Sequence, residues 1–581
     1  MKIIACLSVK ITIKKVMKQV LLVLKSILLI IVFIQIPFFS FSQRVVHVNS
    51  PEQIQSACDN ASAGDTIILA DGTYMNTSLT IGKNNITVRA NSPGGVFLNG
   101  ANYIQISGDY IIFSGFQFTS GTIGGTVTTV SGNHNTLTQL NFKGYSAQKY
   151  INLEGQYNVI SHCNFENKPV TAPQGNLVHI TPDASHPGYN KIRYCSFQNM
   201  PGAGGDNGNE CIRISNGSTS TYVSRTIVEF CYFNNTGLGD SEAISVKCRE
   251  NVLRYNTSVN NQRAMFCFRN GDNNIAYGNF FIGAGGIRVK EANNIYCYNN
   301  YFEHSGIGGN TDAVTYVYYT LNTTYVLNNI NFLHNTFVEC GDVDLDEGAK
   351  NNTWANNIFK KSSGNIFTGS TTGIAWAGNI YDGNLGVAIP SGMTNIDPKL
   401  VLNPEGYLGL SALSPAVDAS SDSYPAIMDI ANVDDDAHLL LDLSGQLRPV
   451  SKILKDVGCD EFTTGVSTNH PLSLSEVGPA YLVRDYTGIQ NSIRNDVDLK
   501  IFPNPANDRF TVDYNLVSAS DIYLSIINTK GITVKNLILN QKQSSGNHKL
   551  SAEISDLQNG MYFVSLKSGY LVKTIKFVIC R

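Results

Sequence analysis

The sequence predicts an all-β protein: a right-handed parallel β-helix followed by a small C-terminal β-sandwich domain. Three observations predict it. A short polar-then-aromatic step recurs along the chain, in LNFKG (Phe142), CNFEN (Phe165), CSFQN (Phe197), CYFNN (Phe233), NFFIG (Phe281), NYFEH (Phe302), NTFVE (Phe337), NIFKK (Phe359) and NIYDG (Tyr381). Neighbouring steps are often about 22 residues apart, the length of one solenoid coil, and longer steps imply inserted loops. The composition agrees: 51 Gly, 28 Tyr and 27 Phe with only 15% charged residues favour turns and strands over long helices.

The elements come in order. The stretch MKQVLLVLKSILLIIVFIQIPFFSFSQ begins at Met17 with basic flanks, runs apolar and ends in small residues. It reads as a signal peptide within residues 1–42, with Met17 a candidate true start. A membrane anchor is the competing reading, since Val20 to Phe39 is nearly long enough to span a bilayer. SPEQIQSACDNASAGDTIILADGTYMN then reads as a short capping helix leading into a first strand. Coils come next, each with an inward aromatic and a tight turn. Asn suits that turn, because it tolerates left-handed backbone angles and stacks its side-chain amide between coils. A β-propeller is the alternative, but its repeats run near 40 residues.

The solenoid is expected to span residues 43–462. Residues 463–495, rich in Ser, Thr, Gly and Pro, read as a linker, and LKIFPNPANDRFTVDY opens a separate domain over 496–581. Twelve cysteines in an exported chain raise the prospect of disulfides. However, Cys163, Cys195 and Cys231 each stand two residues before a repeat phenylalanine, which predicts buried free thiols instead. A net charge of −3 leaves no basic field for nucleic acid.

The charges acquire meaning in the coil register. ECIRIS (210–215), EAISVK (242–247), AMFCFR (264–269) and GGIRVK (285–290) overlay without gaps. Alternation then points Ile212, Ile214, Ile244, Val246, Phe266, Phe268, Ile287 and Val289 inward. Ser215, Lys247, Arg269 and Lys290 form one outward column, and Arg213, Ser245, Cys267 and Arg288 a second. Stacked cations repel, so stability alone does not select them. The same register stacks Glu210 on Glu242, with Asn207 and Asp240 close by, an oxygen-rich set of the kind Ca²⁺ takes. Strict alternation would turn both glutamates inward, so a bend is expected just after them. A surface ion-pair cluster is the plain alternative. His179 and His186, lone histidines in a loop-rich coil, are expected at the surface.

At NGNECIRIS, EAISVKC, FCFRNGDNN and NFFIGAGGIRVK the chain resembles polysaccharide lyase family six, the alginate lyases and chondroitinase B. The resemblance implies a secreted lyase that cleaves a uronate polysaccharide, most readily alginate, by Ca²⁺-assisted β-elimination. It implies Lys247 as base and Arg269 as acid, and Ca²⁺ on Asn207, Glu210, Asp240 and Glu242. Substrate contacts fall to Arg213, Asn270, Arg288 and Lys290. Asp240 stands where the family usually has Glu, and Asn270 where a His often follows the arginine. FPNPAND and GMYFV make the C-terminal domain resemble the sorting domain of the type IX secretion system. This implies passage through the periplasm to the surface or medium, with that machinery as partner and no stable membrane span after signal removal. The alternatives are a dermatan sulfate lyase of the chondroitinase B type, a pectate lyase, and a non-catalytic surface glycan-binding β-helix. The lack of arginine from Glu291 to Leu447 disfavours a sulfated substrate.

Overall fold

The computed structural model describes residues 43–201, 208–237, 241–261, 263–306, 312–317, 327–345, 350–430, 440–463, 465, 467–482, 499–516, 520–528, 533–568 and 571–581. The signal-peptide reading of 1–42 lies outside them.

The chain begins with a strand, Val45–Val48, and a helix α1, Pro51–Asp59. Ser50 caps that helix through its side-chain oxygen, which accepts from the Gln53 backbone N–H, and Pro51 opens its first turn. Ile54 and Cys58 turn inward and close the end of the apolar core. Beyond it the chain winds as a parallel β-solenoid. Every third strand pairs with its predecessor, giving three parallel sheets of 14, 12 and 14 strands.

Aromatics stack from coil to coil in two runs, interrupted at Ser258, where Phe266 bridges Phe233 and Phe281 edge-on. The rings of Phe142, Phe165, Phe197 and Phe233 lie face to face in sequence, with centroids 4.9 to 5.5 Å apart. Phe281, Phe302, Phe337 and Phe359 continue the stack at 4.4 to 4.9 Å. Two residues before each ring runs a second ladder. In the later coils it is asparagine. The side-chain oxygen of Asn279 accepts the Asn256 backbone N–H at 3.0 Å, and Asn300, Asn335, Asn357 and Asn379 repeat the pattern at 2.9 to 3.1 Å. In earlier coils the same position holds Cys163, Cys195 and Cys231, buried free thiols whose Sγ donates to backbone carbonyls. Among the described residues every cysteine is free, and all but Cys580 are buried.

The left-handed residue at this turn is not the ladder asparagine but the residue before it: His162, Tyr194, Phe230, Tyr255, Asn299, His334 and Asn356 all have φ between 48° and 57°. The ladder residue must point its amide into the coil to bond its neighbours, so the tight angle falls one position earlier. Asparagines do take the left-handed angle at the following corner, at Asn167, Asn199 and Asn235.

Residues 463–495 were expected to be a plain linker, but over 467–482 they lie against the solenoid. The Asn469 side chain donates to Gly278 O and Leu443 O, Leu472 N to Thr257 Oγ1 at 2.8 Å, Gly478 N to Tyr194 O at 2.7 Å and Ala480 N to Gln139 Oε1 at 2.7 Å. The strap thus runs backwards across the coils. The Tyr481 ring sits so close to Gly94 that a Cβ there would meet it at 2.3 Å.

The C-terminal domain is built of antiparallel sheets of three and four strands. Phe510, Val512 and Tyr514 from one face pack on Leu524, Ile526, Val564 and Phe577 from the other, forming a separate sandwich core. Among the described residues no helix is long and apolar enough to cross a membrane.

Candidate active site

Seven consecutive strands of the 12-stranded sheet carry the site: β1 (Lys149–Leu153), β2 (Val178–Ile180), β3 (Ile212–Ile214), β4 (Glu242–Val246), β5 (Met265–Arg269), β6 (Ile287–Lys290) and β7 (Asp312–Val317). The observed register pairs Arg213 with Ser245, Ser245 with Cys267, Cys267 with Arg288, and Arg269 with Lys290. The second outward column read from the sequence is therefore present, and Arg269–Lys290 belongs to the first; Ser215 instead is fully buried, its hydroxyl donating to Asn216 O or Thr219 O. Their inward partners, Ile212, Ile244, Phe266 and Ile287 among them, are fully buried in the core.

A β-bulge settles where the glutamates face. Between Glu242 and Ile244 the register of β4 on β5 shifts by one residue. Ala243 becomes the extra residue and enters the core, so Glu242 regains the groove side. Cys211 is likewise in the core beside Glu210 on the preceding coil.

Glu242, 2% exposed, accepts from Arg269 Nη1 at 3.2 Å. Burial alone would raise its pKa. The neighbouring Ser245 hydroxyl and the charges of Arg269, Lys247 and Arg288 outweigh burial, and the carboxyl stays below its ordinary value. Glu210 accepts from Asn176 Nδ2 at 2.5 Å and lies 3.8 Å from Arg213 Nη1. The turn before it is pinned by Lys168, whose buried ammonium donates to Gly175 O at 2.8 Å and Asn209 Oδ1 at 3.0 Å.

Lys247 lies directly after β4. It is only 7% exposed, yet among the described residues its Nζ makes neither an ion pair nor a hydrogen bond. Burial, then the charges of Arg213 and Arg269, pull its pKa below the ordinary lysine value, with Glu242 and Glu210 opposing. Lys290 is lowered for the same reasons, burial first and then Arg269 and Arg288. Arg288 Nη1 reaches Ser241 Oγ at 3.3 Å, and Arg213 Nε donates to Ser215 O at 3.3 Å. Asn270, in the left-handed region at φ 63°, donates to Glu291 Oε2 at 2.6 Å at the groove edge.

The groove also holds residues that the sequence pattern did not assign. Lys149, Asn176 and His179 occupy the two coils before Arg213, with Asn152 paired to His179 and His179 to Arg213. His186 is exposed as expected, but His179 is 3% exposed and faces Lys149, Arg213 and Lys247. Loops inserted on either side of β2 lengthen the spacing between these coils beyond one regular turn, which hid them. NLVHIT (176–181) overlays ECIRIS (210–215) without gaps, and carrying the overlay one coil back would have found Asn176 and His179.

Of the four expected calcium ligands, Asn207 and Asp240 lie outside the described residues. Glu210 and Glu242 offer buried carboxylates from adjacent coils, an all-oxygen set of hard character that suits Ca²⁺. Among the described residues no group of three His, Cys, Asp or Glu side chains is placed to hold a metal.

Residues 48–348, just over half of the chain, match the family model described as Chondroitinase B. The chain belongs to the chondroitinase B family of polysaccharide lyases. Residues 500–580 match the secretion system C-terminal sorting domain, which directs the chain to the cell surface or out of the cell. Three solved structures share the fold. The PL6 family alginate lyase AlyGC is 21% identical with a TM-score of 0.60, over 80% of this chain and 60% of its own. A mannuronic acid specific family 6 lyase from human gut microbiota is 23% identical with a TM-score of 0.54, over 61% of this chain and 91% of its own. The family lyase Pedsa3628 from Pseudopedobacter saltans is 20% identical with a TM-score of 0.50, over 60% of this chain and 97% of its own. This family member thus spans about 60% of the length of AlyGC. No curated protein sequence matches the chain.

Proposed function

We propose that this chain is an exported alginate lyase that cuts by β-elimination. The observation that carries the reading is Lys247: a nearly buried lysine with no internal partner among the described residues, its charge disfavoured by its surroundings, standing one coil from an arginine fixed by Glu242. Buried lysines are almost always paired, because an unpaired ammonium out of water is costly. A lysine whose ammonium form is disfavoured, at the floor of an anion-binding groove, suits a general base.

The C5 proton of a uronate is weakly acidic, being adjacent to the carboxylate. Lys247 Nζ takes that proton, the C4–C5 double bond forms, and the C4–O4 bond breaks. Arg269 keeps its own proton, since guanidinium pKa values lie above about 12, and hydrogen-bonds the developing charge while water protonates O4. Arg213, Arg288 and Lys290 hold the polyanion across neighbouring coils, with Asn270 at the groove edge. A Ca²⁺ held by Glu210 and Glu242, with Asn207 and Asp240, would neutralise the substrate carboxylate and so stabilise the enediolate-like charge.

The choice of unsulfated alginate over dermatan sulfate rests on the coils beyond Lys290. Their outward positions are Thr315, Asp344 and Thr368, in register with Arg288. They offer no cation for a sulfate. The test is incubation with alginate, polygalacturonate and dermatan sulfate, with and without chelator, reading the ultraviolet absorbance of unsaturated uronate. Alginate should give the fastest rise. Faster cleavage of dermatan sulfate would assign the chondroitinase reaction, and binding without any rise would leave a glycan-binding protein.

A further inference from the structure

His179 is nine-tenths buried on β2, two coils before Lys247, and has no role in the elimination described above. Its protonation is dictated by a chain of three residues. Glu210 is a carboxylate that only accepts, so the group of Asn176 facing it at 2.5 Å is the amide Nδ2. That turns Asn176 Oδ1 towards His179 Nδ1, at 3.2 Å. The oxygen cannot donate, so Nδ1 carries the hydrogen and Nε2 is left with a lone pair. Among the described residues Nε2 makes no hydrogen bond to the protein. Burial, then Lys149, Arg213 and Lys247, push the imidazole pKa down to about 3, so the ring stays neutral.

Besides the base Lys247, the groove around it displays mostly donors: Lys149, Arg213, Arg269, Arg288 and Lys290. These suit the carboxylates of a polyuronate but not its hydroxyl hydrogens. A neutral acceptor set among them matches a hydroxyl donor. Two coils separate His179 from Lys247, about 10 Å at the inter-strand spacing. We infer that His179 Nε2 accepts a hydrogen bond from a hydroxyl of the sugar bound next to the one that loses its proton, with Asn176 and Glu210 as positioning residues that fix the tautomer. The inference rests on the lyase reading.

The test uses the full secreted chain and whichever of alginate, polygalacturonate and dermatan sulfate the wild type cleaves fastest. His179→Ala is expected to raise KM about tenfold while kcat falls less than threefold, because a neighbouring subsite holds substrate without touching the reacting atoms. His179→Gln, which keeps an acceptor, should stay within about threefold of wild-type KM, and Asn176→Leu should behave like His179→Ala. Nitrogen-15 spectra of the imidazole in the wild type should show hydrogen on Nδ1. A KM within twofold of wild type in a folded His179→Ala, equal losses for His179→Ala and His179→Gln, or a hydrogen on Nε2 would overturn this role and leave the lyase reading standing. A wild type that cleaves none of the three polymers would overturn both.

Discussion

Lys247 combines two properties that conflict in a structural residue, burial and the lack of a partner among the described residues, and its replacement separates chemistry from folding. Lys247→Ala is expected to lower kcat at least about 100-fold, the usual weight of a general base, with a melting temperature no lower than the wild type's; retention of a tenth of the rate would place the base elsewhere. The direction of the shift sets the pH profile. The amine works deprotonated, and its pKa is lowered in the fold, so activity should rise with pH through a midpoint below the ordinary lysine value of about 10.4. Adding salt or replacing Arg213 with Gln should move that midpoint upwards, since Arg213 is the largest charge contribution disfavouring the ammonium. Glu242→Gln should remove both the anchor of Arg269 and a metal oxygen, lowering the rate about tenfold or more. Partial recovery in added Ca²⁺, together with a reduced bound-calcium content, checks the second half of that statement. Full activity in excess chelator would reduce Glu242 to the arginine anchor alone.

At the level of strands and ladders, much was legible because one coil predicts the next. The aromatic steps mark out the stacked rings from Phe142 to Phe359, and the four overlaid strands mark out the Arg213–Ser245–Cys267–Arg288 column. What escaped was whatever interrupts the period. The bulge at Ala243 is a single added residue, invisible to alternation, although the acid on the wrong face was its signature. Lys149, Asn176 and His179 sit behind an inserted loop. The left-handed angle falls on the residue ahead of the ladder asparagine, because an amide committed to its neighbours has to point inward. That commitment is costly to break. Asn300 accepts from Asn279 and donates to Ala276 O and Asn335, all fully buried. Asn300→Ala strands several of these groups and is expected to destabilise the solenoid by about 2–4 kcal/mol, read from denaturant unfolding. Cys195→Ala, at the equivalent position with only a weak donor, should cost less.

For the whole molecule, the two ends differ in what they contribute. The sorting domain has its own sandwich core, so a chain ending at residue 495 should stay folded and active but fail to leave the periplasm of a type IX secreting host. A chain ending at residue 462 loses the strap as well. Stacked coils touch mainly their neighbours, and residues 407–430 and 440–459 tie together the later coils around Asn299, Tyr301 and Thr336, so without the strap it is the earlier coils that are free to fray one at a time. The strap bonds to Gly278, Thr257, Tyr194 and Gln139, far apart along the axis, and ties their fates together. The chain ending at 462 should therefore melt lower and over a broader range than the chain ending at 495. For a protein working outside the cell among proteases, the strap acts as a cooperativity device: it replaces gradual peeling, which exposes cleavable ends, with one all-or-none opening that is rarely visited.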